Sequence, residues 1–205
     1  TPGNSLLTYN QTSNLWVGVT SNTTTTQLAP SGTDGYMLYI RGDRTSTNGN
    51  STITPTTLFS RGGIKQNNQS AITVPAETNI ATGNYVMIGN PFASTINLPS
   101  LTLGGFANQS LLNFFVWDPQ MGTIGGFVTL QKSGANYVAQ TVGGVTFPQN
   151  SIVNTIQSGQ AFFIQSQTAS GTVAVPEAAK VTTSSLVFRP GIAAAAAKRY
   201  LITAL

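Results

Sequence analysis

Five carboxylates, at Asp34, Asp43, Glu77, Asp118 and Glu177, are the whole acidic complement of this 205-residue chain, which has no histidine and no cysteine. Ser-His-Asp and Cys-His nucleophiles, His- or thiolate-ligated metals and disulfides are therefore excluded. Glycoside hydrolysis needs only two carboxylates about 5–10 Å apart, so the count alone permits it. The acids are isolated, however. Asp34-Gly35 and Asp118-Pro119 are ordinary turn dipeptides, and no two acids share an evident strand end with flanking aromatics. Main-chain carbonyls near Asp34 or Asp118 could complete a calcium site, but no Asp-x-Asp-x-Asp run supports one. The expectation is a non-catalytic protein with no cofactor and no metal.

Binding chemistry has better candidates. In "LLNFFVWDP", strand alternation puts Phe114 and Val116 on one face and Phe115 and Trp117 on the other. One of those faces could stack on sugar rings, although core packing is the usual fate of such residues. Trp16, in "NLWVGV", has the same two readings. Trp16, Phe115 and Trp117 thus form a candidate carbohydrate platform. "RGD" at Arg41–Asp43 reads as a strand end, with Gly42 permitting a bend and Asp43 capping the turn. Sequons at Asn10, Asn22, Asn50, Asn68 and Asn108 are expected in a chain this rich in Asn, Ser and Thr. The nine basic residues are scattered and leave a net charge of +4. No stripe of basic and aromatic residues points to nucleic acid.

The elements that must position these residues are strands. Short apolar segments recur every 8–15 residues or so between Gly, Pro, Asn and Ser clusters, the pattern of a sandwich or barrel. Candidates are Leu6–Tyr9, Leu15–Val19, Tyr36–Arg41, Thr57–Phe59, Ala71–Val74, Tyr85–Ile88 and Asn113–Trp117. Further ones are Gly126–Leu130, Asn136–Gln140, Ile152–Val153, Gln160–Gln165, Thr172–Val175, Ser185–Phe188 and Arg199–Thr203. Both faces of "YMLYIRG" are apolar, which predicts a strand covered on both sides. Helix is limited to a turn or two around Ala107–Leu112 and at most one turn in the Ala-rich linker 191–198. The stretches 21–33, 45–56 and 62–70 read as long polar loops. Charged residues make up 7% of the chain, against about 25% in ordinary domains. Little self-repulsion therefore opposes association between copies. No apolar run approaches the roughly 20 residues of a membrane helix.

"YVMIGNPFASTINL" interrupts a strand at Gly89-Asn90-Pro91-Phe92. Gly89 offers backbone freedom, Asn90 is pushed out of the helical region by the proline, and Pro91 ends the ladder because it has no N–H. Phe92 can anchor the turn in the core, and Ser94 offers a hydroxyl for hydrogen bonding. The stretch reads as a structural corner.

"RGDR" (41–44), "GNYVMIGNPFASTINL" (83–98), "FFVWDPQMGTIGGFV" (114–128), "IQSGQAFFIQS" (156–166) and "VFRP" (187–190) occur in this order. Together they resemble a recurrent module of large secreted surface proteins from Bacteroidetes-type bacteria. Those proteins are exported by type IX secretion, and the module often precedes a C-terminal sorting domain. The resemblance covers roughly residues 33–205. It implies an all-β module at the cell surface or outside it, and it transfers no catalytic residue. No sorting domain follows "KRYLITAL", which implies that the remainder lies outside this sequence or was removed by processing.

The combined expectation is an all-β, antiparallel β-sandwich or jelly-roll-like domain over residues 1–190, with a weak subdivision near 79–84. An Ala-rich linker and a terminal strand occupy 191–205. The strand Tyr200, Leu201, Ile202, Thr203, Leu205 could complete the sheet of another copy or fold back on its own domain. Partners would be other copies, neighbouring domains of a larger surface protein, or glycans, with no nucleic acid and no membrane span.

Overall fold

The computed structural model describes residues 5–19, 35–40, 63–75, 85–118, 125–140, 152–166, 169–182 and 199–203. The strands are β1 (Leu6–Asn10), β2 (Leu15–Gly18), β3 (Tyr36–Ile40), β4 (Ile72–Val74), β5 (Val86–Gly89), β6 (Thr95–Asn97), β7 (Thr102–Gly104) and β8 (Leu112–Asp118). They continue with β9 (Gly126–Ser133), β10 (Asn136–Ala139), β11 (Thr155–Ile156), β12 (Ala161–Ser166), β13 (Gly171–Ala174), β14 (Lys180–Val181) and β15 (Arg199–Thr203). The only helical pieces among the described residues are three 3₁₀ turns, at Leu98–Ser100, Gln109–Leu111 and Glu177–Ala179. None is long or apolar enough to cross a membrane.

Every named strand pairing is antiparallel. A five-stranded sheet, ordered β10-β9-β8-β12-β5, forms the centre. Two three-stranded sheets, β11-β6-β14 and β4-β13-β7, cover one of its faces. A four-stranded sheet, β15-β3-β1-β2, packs on the other. The all-β antiparallel sandwich expected from the sequence is present, with a third layer added.

Period-two alternation divides the central side chains between two cores. Val86, Ile88, Phe114, Val116, Val128, Leu130, Phe162 and Ile164 face the small sheets and bury with Val74, Ile96, Ile156 and Val173. Met87, Ala161 and Phe163 face the four-stranded sheet, against Tyr9, Trp16 and Met37. All six residues of β12 are buried. So are all four of β5. These strands are covered on both sides, whereas β3 lies inside an outer sheet between β1 and β15.

The expected corner sits at the end of β5, with different residues holding it. Gly89 takes no positive φ and pairs with Ala161 as the last residue of the ladder. Asn90 supplies the fixing instead. It is buried, its Oδ1 accepts from the Phe92 N–H at 3.0 Å, and its Nδ2 donates to the carbonyls of Ser94, Ile156 and Gln157. The Ser94 hydroxyl has no hydrogen-bond partner among the described residues, so the expectation for it is corrected: Ser94 contributes its carbonyl. Half-buried Pro91 leads to Phe92, which enters the core as expected, and the Lys180 ammonium lies 4.3 Å above its ring.

The expected bend at "RGD", the subdivision near 79–84, the strands Thr57–Phe59 and Ser185–Phe188, and the linker 191–198 lie outside the described residues. Loops 21–33 and 45–56 do too. Ile152–Val153 is not a strand; Ile152 makes a single bridge to Val138, and the pairing segment is β11.

An aromatic cleft between two sheets as the candidate functional site

The second face of the central sheet carries the aromatic residues that sequence alternation put in phase. Phe163 lies opposite Phe115, Phe115 opposite Thr129, and Trp117 opposite Phe127. From the facing sheet, the β1–β2 hairpin brings in Tyr9 and Trp16, themselves a cross-strand pair. Tyr85 joins from the residue before β5. Tyr9, Trp16, Tyr85, Phe115, Phe127, Thr129 and Phe163 line a half-open cleft of about 400 Å³.

The rings are crossed. Phe163, almost fully buried, is the floor, and the planes of Tyr9, Trp16, Tyr85 and Phe127 stand at 78°, 81°, 80° and 72° to it. Tyr9 also meets Trp16 at 67°, and Tyr85 meets Phe115 at 73°. Edge-to-face contact brings positive ring edges against negative faces and is favoured over flat stacking. The hairpin wall is held by the Tyr9 hydroxyl, which donates to Asn14 Oδ1 at 2.9 Å. Asn14 sits in the connecting turn with φ 53°, a conformation asparagine tolerates better than most residues. Burial, and then the neighbouring Tyr85, push the Tyr9 pKa above its ordinary value, so this hydroxyl stays protonated at neutral pH.

No lining residue among the described residues carries a formal charge. One step along the strands on the same face, Gln165 lies opposite Asn113 and Asn113 opposite Gln131. This row of amides is about 7 Å from the Phe163–Phe115–Thr129 row, two residues of strand rise. Gln131 Nε2 donates to Asn113 Oδ1 at 3.1 Å, and Asn113 and Gln165 are buried.

Of the expected platform, Trp16 and Phe115 therefore meet in one cleft, while Trp117 is not part of its lining. The Trp117 ring crosses Phe127 at 77° and lies over Gly125, where a Cβ would come within 2.5 Å of it. Gly125, at φ 93°, is thus glycine for two reasons, the backbone angle and the indole above it. Tyr9, Tyr85, Phe127, Thr129 and Phe163 were not singled out from the sequence as site residues; the signal available was their phase within "LLTYN", "YVMIG", "GFVTL" and "AFFIQS".

The other expectations fall as follows. Asp34, Asp43 and Glu77 lie outside the described residues. Asp118 is buried at the end of β8, and Glu177 is paired with Lys180 in a 3₁₀ turn. Among the described residues, no three potential metal ligands come together. Three of the sequon asparagines hold turns or loops: Asn10 Oδ1 accepts from the N–H groups of Thr12 and Ser13, Asn108 Oδ1 from Ser110 N–H, and Asn68 Oδ1 from Glu177 N–H. The terminal strand forms an edge of the four-stranded sheet, with Arg199 opposite Ile40 and, in order, Tyr200, Leu201, Ile202 and Thr203 opposite Tyr39, Leu38, Met37 and Tyr36. Leu205 lies outside the described residues.

Comparison with known protein families, with curated proteins and with solved structures finds no match to this chain.

Proposed function

We propose that this chain is a non-catalytic structural or adhesive module of a bacterial surface protein. It works outside the cell and can join to copies of itself, or to neighbouring domains, through its last strand. The observation that supports this most directly is the placement of β15. It pairs over five residues with β3 and ends its sheet, with no further strand beyond it among the described residues. An edge strand of this kind can be supplied in the same register by a second copy, because the ladder bonds do not distinguish the source of the strand. Head-to-tail exchange of this kind gives open filaments when the rotation between subunits does not close. The low charge of the chain removes one barrier to such packing. The extracellular assignment draws on the Thr- and Asn-rich, cysteine-free composition and on the resemblance to type IX secretion substrates.

The test is negative-stain electron microscopy, with sedimentation, of the full chain beside one ending at Ala197. Filaments or oligomers that disappear on truncation are the expected result. Monomers in both samples would remove self-assembly from the function.

A further inference from the structure

We propose that the aromatic cleft between the central sheet and the β1–β2 hairpin binds a soluble, uncharged oligosaccharide. This names a ligand class for the adhesive part of the function above and rests on that reading.

A pyranose presents two kinds of surface: a C–H face that packs against aromatic rings, and a rim of hydroxyls that need hydrogen-bond partners. The cleft offers both. Phe115, Phe163 and Trp16 supply rings, and the hydroxyls of Tyr85 and Thr129, which can donate and accept, lie in the same lining with the Trp16 indole N–H donor. The volume of about 400 Å³ lies within the roughly 300–1,000 Å³ typical of small-ligand sites.

The absence of charge among the described lining residues narrows the class. A sialylated or uronic-acid glycan would lack a cation there to meet its carboxylate. A quaternary ammonium would find aromatic faces but no carboxylate among the described lining residues, and it would make no use of the lining hydroxyls. A purely apolar peptide would make no use of those hydroxyls either. Ring geometry narrows the class further. Crossed walls standing at 72–81° to Phe163 cannot lie flat on an extended crystalline polymer, which requires coplanar rings. They can enclose the end or a bend of a soluble chain. Trp117, turned onto Gly125, takes no part.

The experiment is a glycan array containing neutral, sialylated and uronic-acid oligosaccharides, with crystalline cellulose and chitin sedimentation in parallel. Calorimetric titration of the strongest soluble ligand follows. Two variants test the site. Trp16→Ala removes a wall, and Thr129→Phe fills the cleft from a strand position that tolerates aromatics. Ile64→Ser, at an exposed position that does not line the cleft, is the control. Circular dichroism establishes that each variant is folded. The expected result is binding to neutral oligosaccharides only, weakened on the order of tenfold or more in folded Trp16→Ala and Thr129→Phe, with Ile64→Ser unchanged. Thr129→Phe decides the matter if Trp16→Ala does not fold. Absence of soluble neutral ligands, preference for anionic ones, or binding to crystalline polymer alone would overturn the proposal. Neutral-glycan binding that survives Thr129→Phe would overturn the cleft as its site and leave the adhesive reading standing.

Discussion

The side-chain amide of Asn90 donates to the main-chain carbonyl of Gln157 at 2.9 Å, joining positions 67 residues apart. The same Nδ2 reaches the carbonyls of Ile156 and Ser94, and the Asn90 main-chain N–H donates to the Gln160 carbonyl at 2.9 Å. One buried side chain therefore ties the end of β5 to β11 and to the approach of β12, linking the central sheet to one of the small sheets. Asn90→Ala would leave several buried groups without partners, at about 1–3 kcal/mol each before relaxation. A loss of at least about 3 kcal/mol is expected in urea unfolding. Asn90→Asp separates donation from size. Its carboxylate can accept from Phe92 N–H but faces carbonyls it cannot satisfy, whereas the protonated acid donates once. Its deficit relative to wild type should therefore shrink between pH 7 and pH 4. A deficit that grows on acidification would contradict this arrangement.

This corner shows what a linear sequence does and does not disclose. Asn90-Pro91 and Phe92 mark a break in a strand because their backbone preferences are local. That Asn90 is the hub depends on partners at 156 and 157, which no local rule brings near. The same contrast runs through the fold. β8 was legible because seven residues with clear alternation define a strand and its two faces. β7, β11 and β14, each two or three residues long, were not, since so short a segment has no period to read. Phe115 and Trp117 share a face, as alternation requires, yet one lines the cleft and the other packs on Gly125. Choosing between them required the cross-strand register that places Phe163 beside Phe115, and register is set by the whole sheet.

Tyr137 gives the fold an alkaline limit. It is 1% exposed, crosses Phe114 at 67°, and burial pushes its pKa up to about 12 from an ordinary 10.0. The folded state thus holds the phenolic proton more tightly than the unfolded chain does. The associated stability is complete below pH 10 and is lost as pH rises through about 12. A two-unit difference corresponds to roughly 2–3 kcal/mol. Urea midpoints measured from pH 8 to 12 should fall steeply above pH 10, and Tyr137→Phe should flatten much of that fall. The Tyr9 pKa, raised by burial, leaves a residual slope of the same sign. An unchanged slope in Tyr137→Phe would assign the alkaline limit to other groups.

Adjacent residues of β12 serve different layers, and this provides a direct test of the three-layer architecture. Phe162 is 0% exposed and stacks with Phe114 in the core beneath the small sheets. Phe163, one position on, faces the opposite way and forms the floor of the aromatic cleft. Phe162→Ala removes a ring from a closed core, where neighbours can collapse only partly, so a loss of about 3–5 kcal/mol is expected. Phe163→Ala enlarges a space already open to solvent. The new volume can admit water, and the expected loss is nearer 2–3 kcal/mol. The spectroscopic consequences should also separate. Phe163→Ala removes the ring that Tyr9, Trp16 and Tyr85 cross, so it should alter near-ultraviolet circular dichroism and tryptophan emission. Phe162→Leu, which keeps most of the core volume, should leave both spectra close to wild type. If Phe162→Leu disturbed the tryptophan signal as much as Phe163→Ala, the two faces of β12 would not be independent cores and the third layer would need to be redrawn.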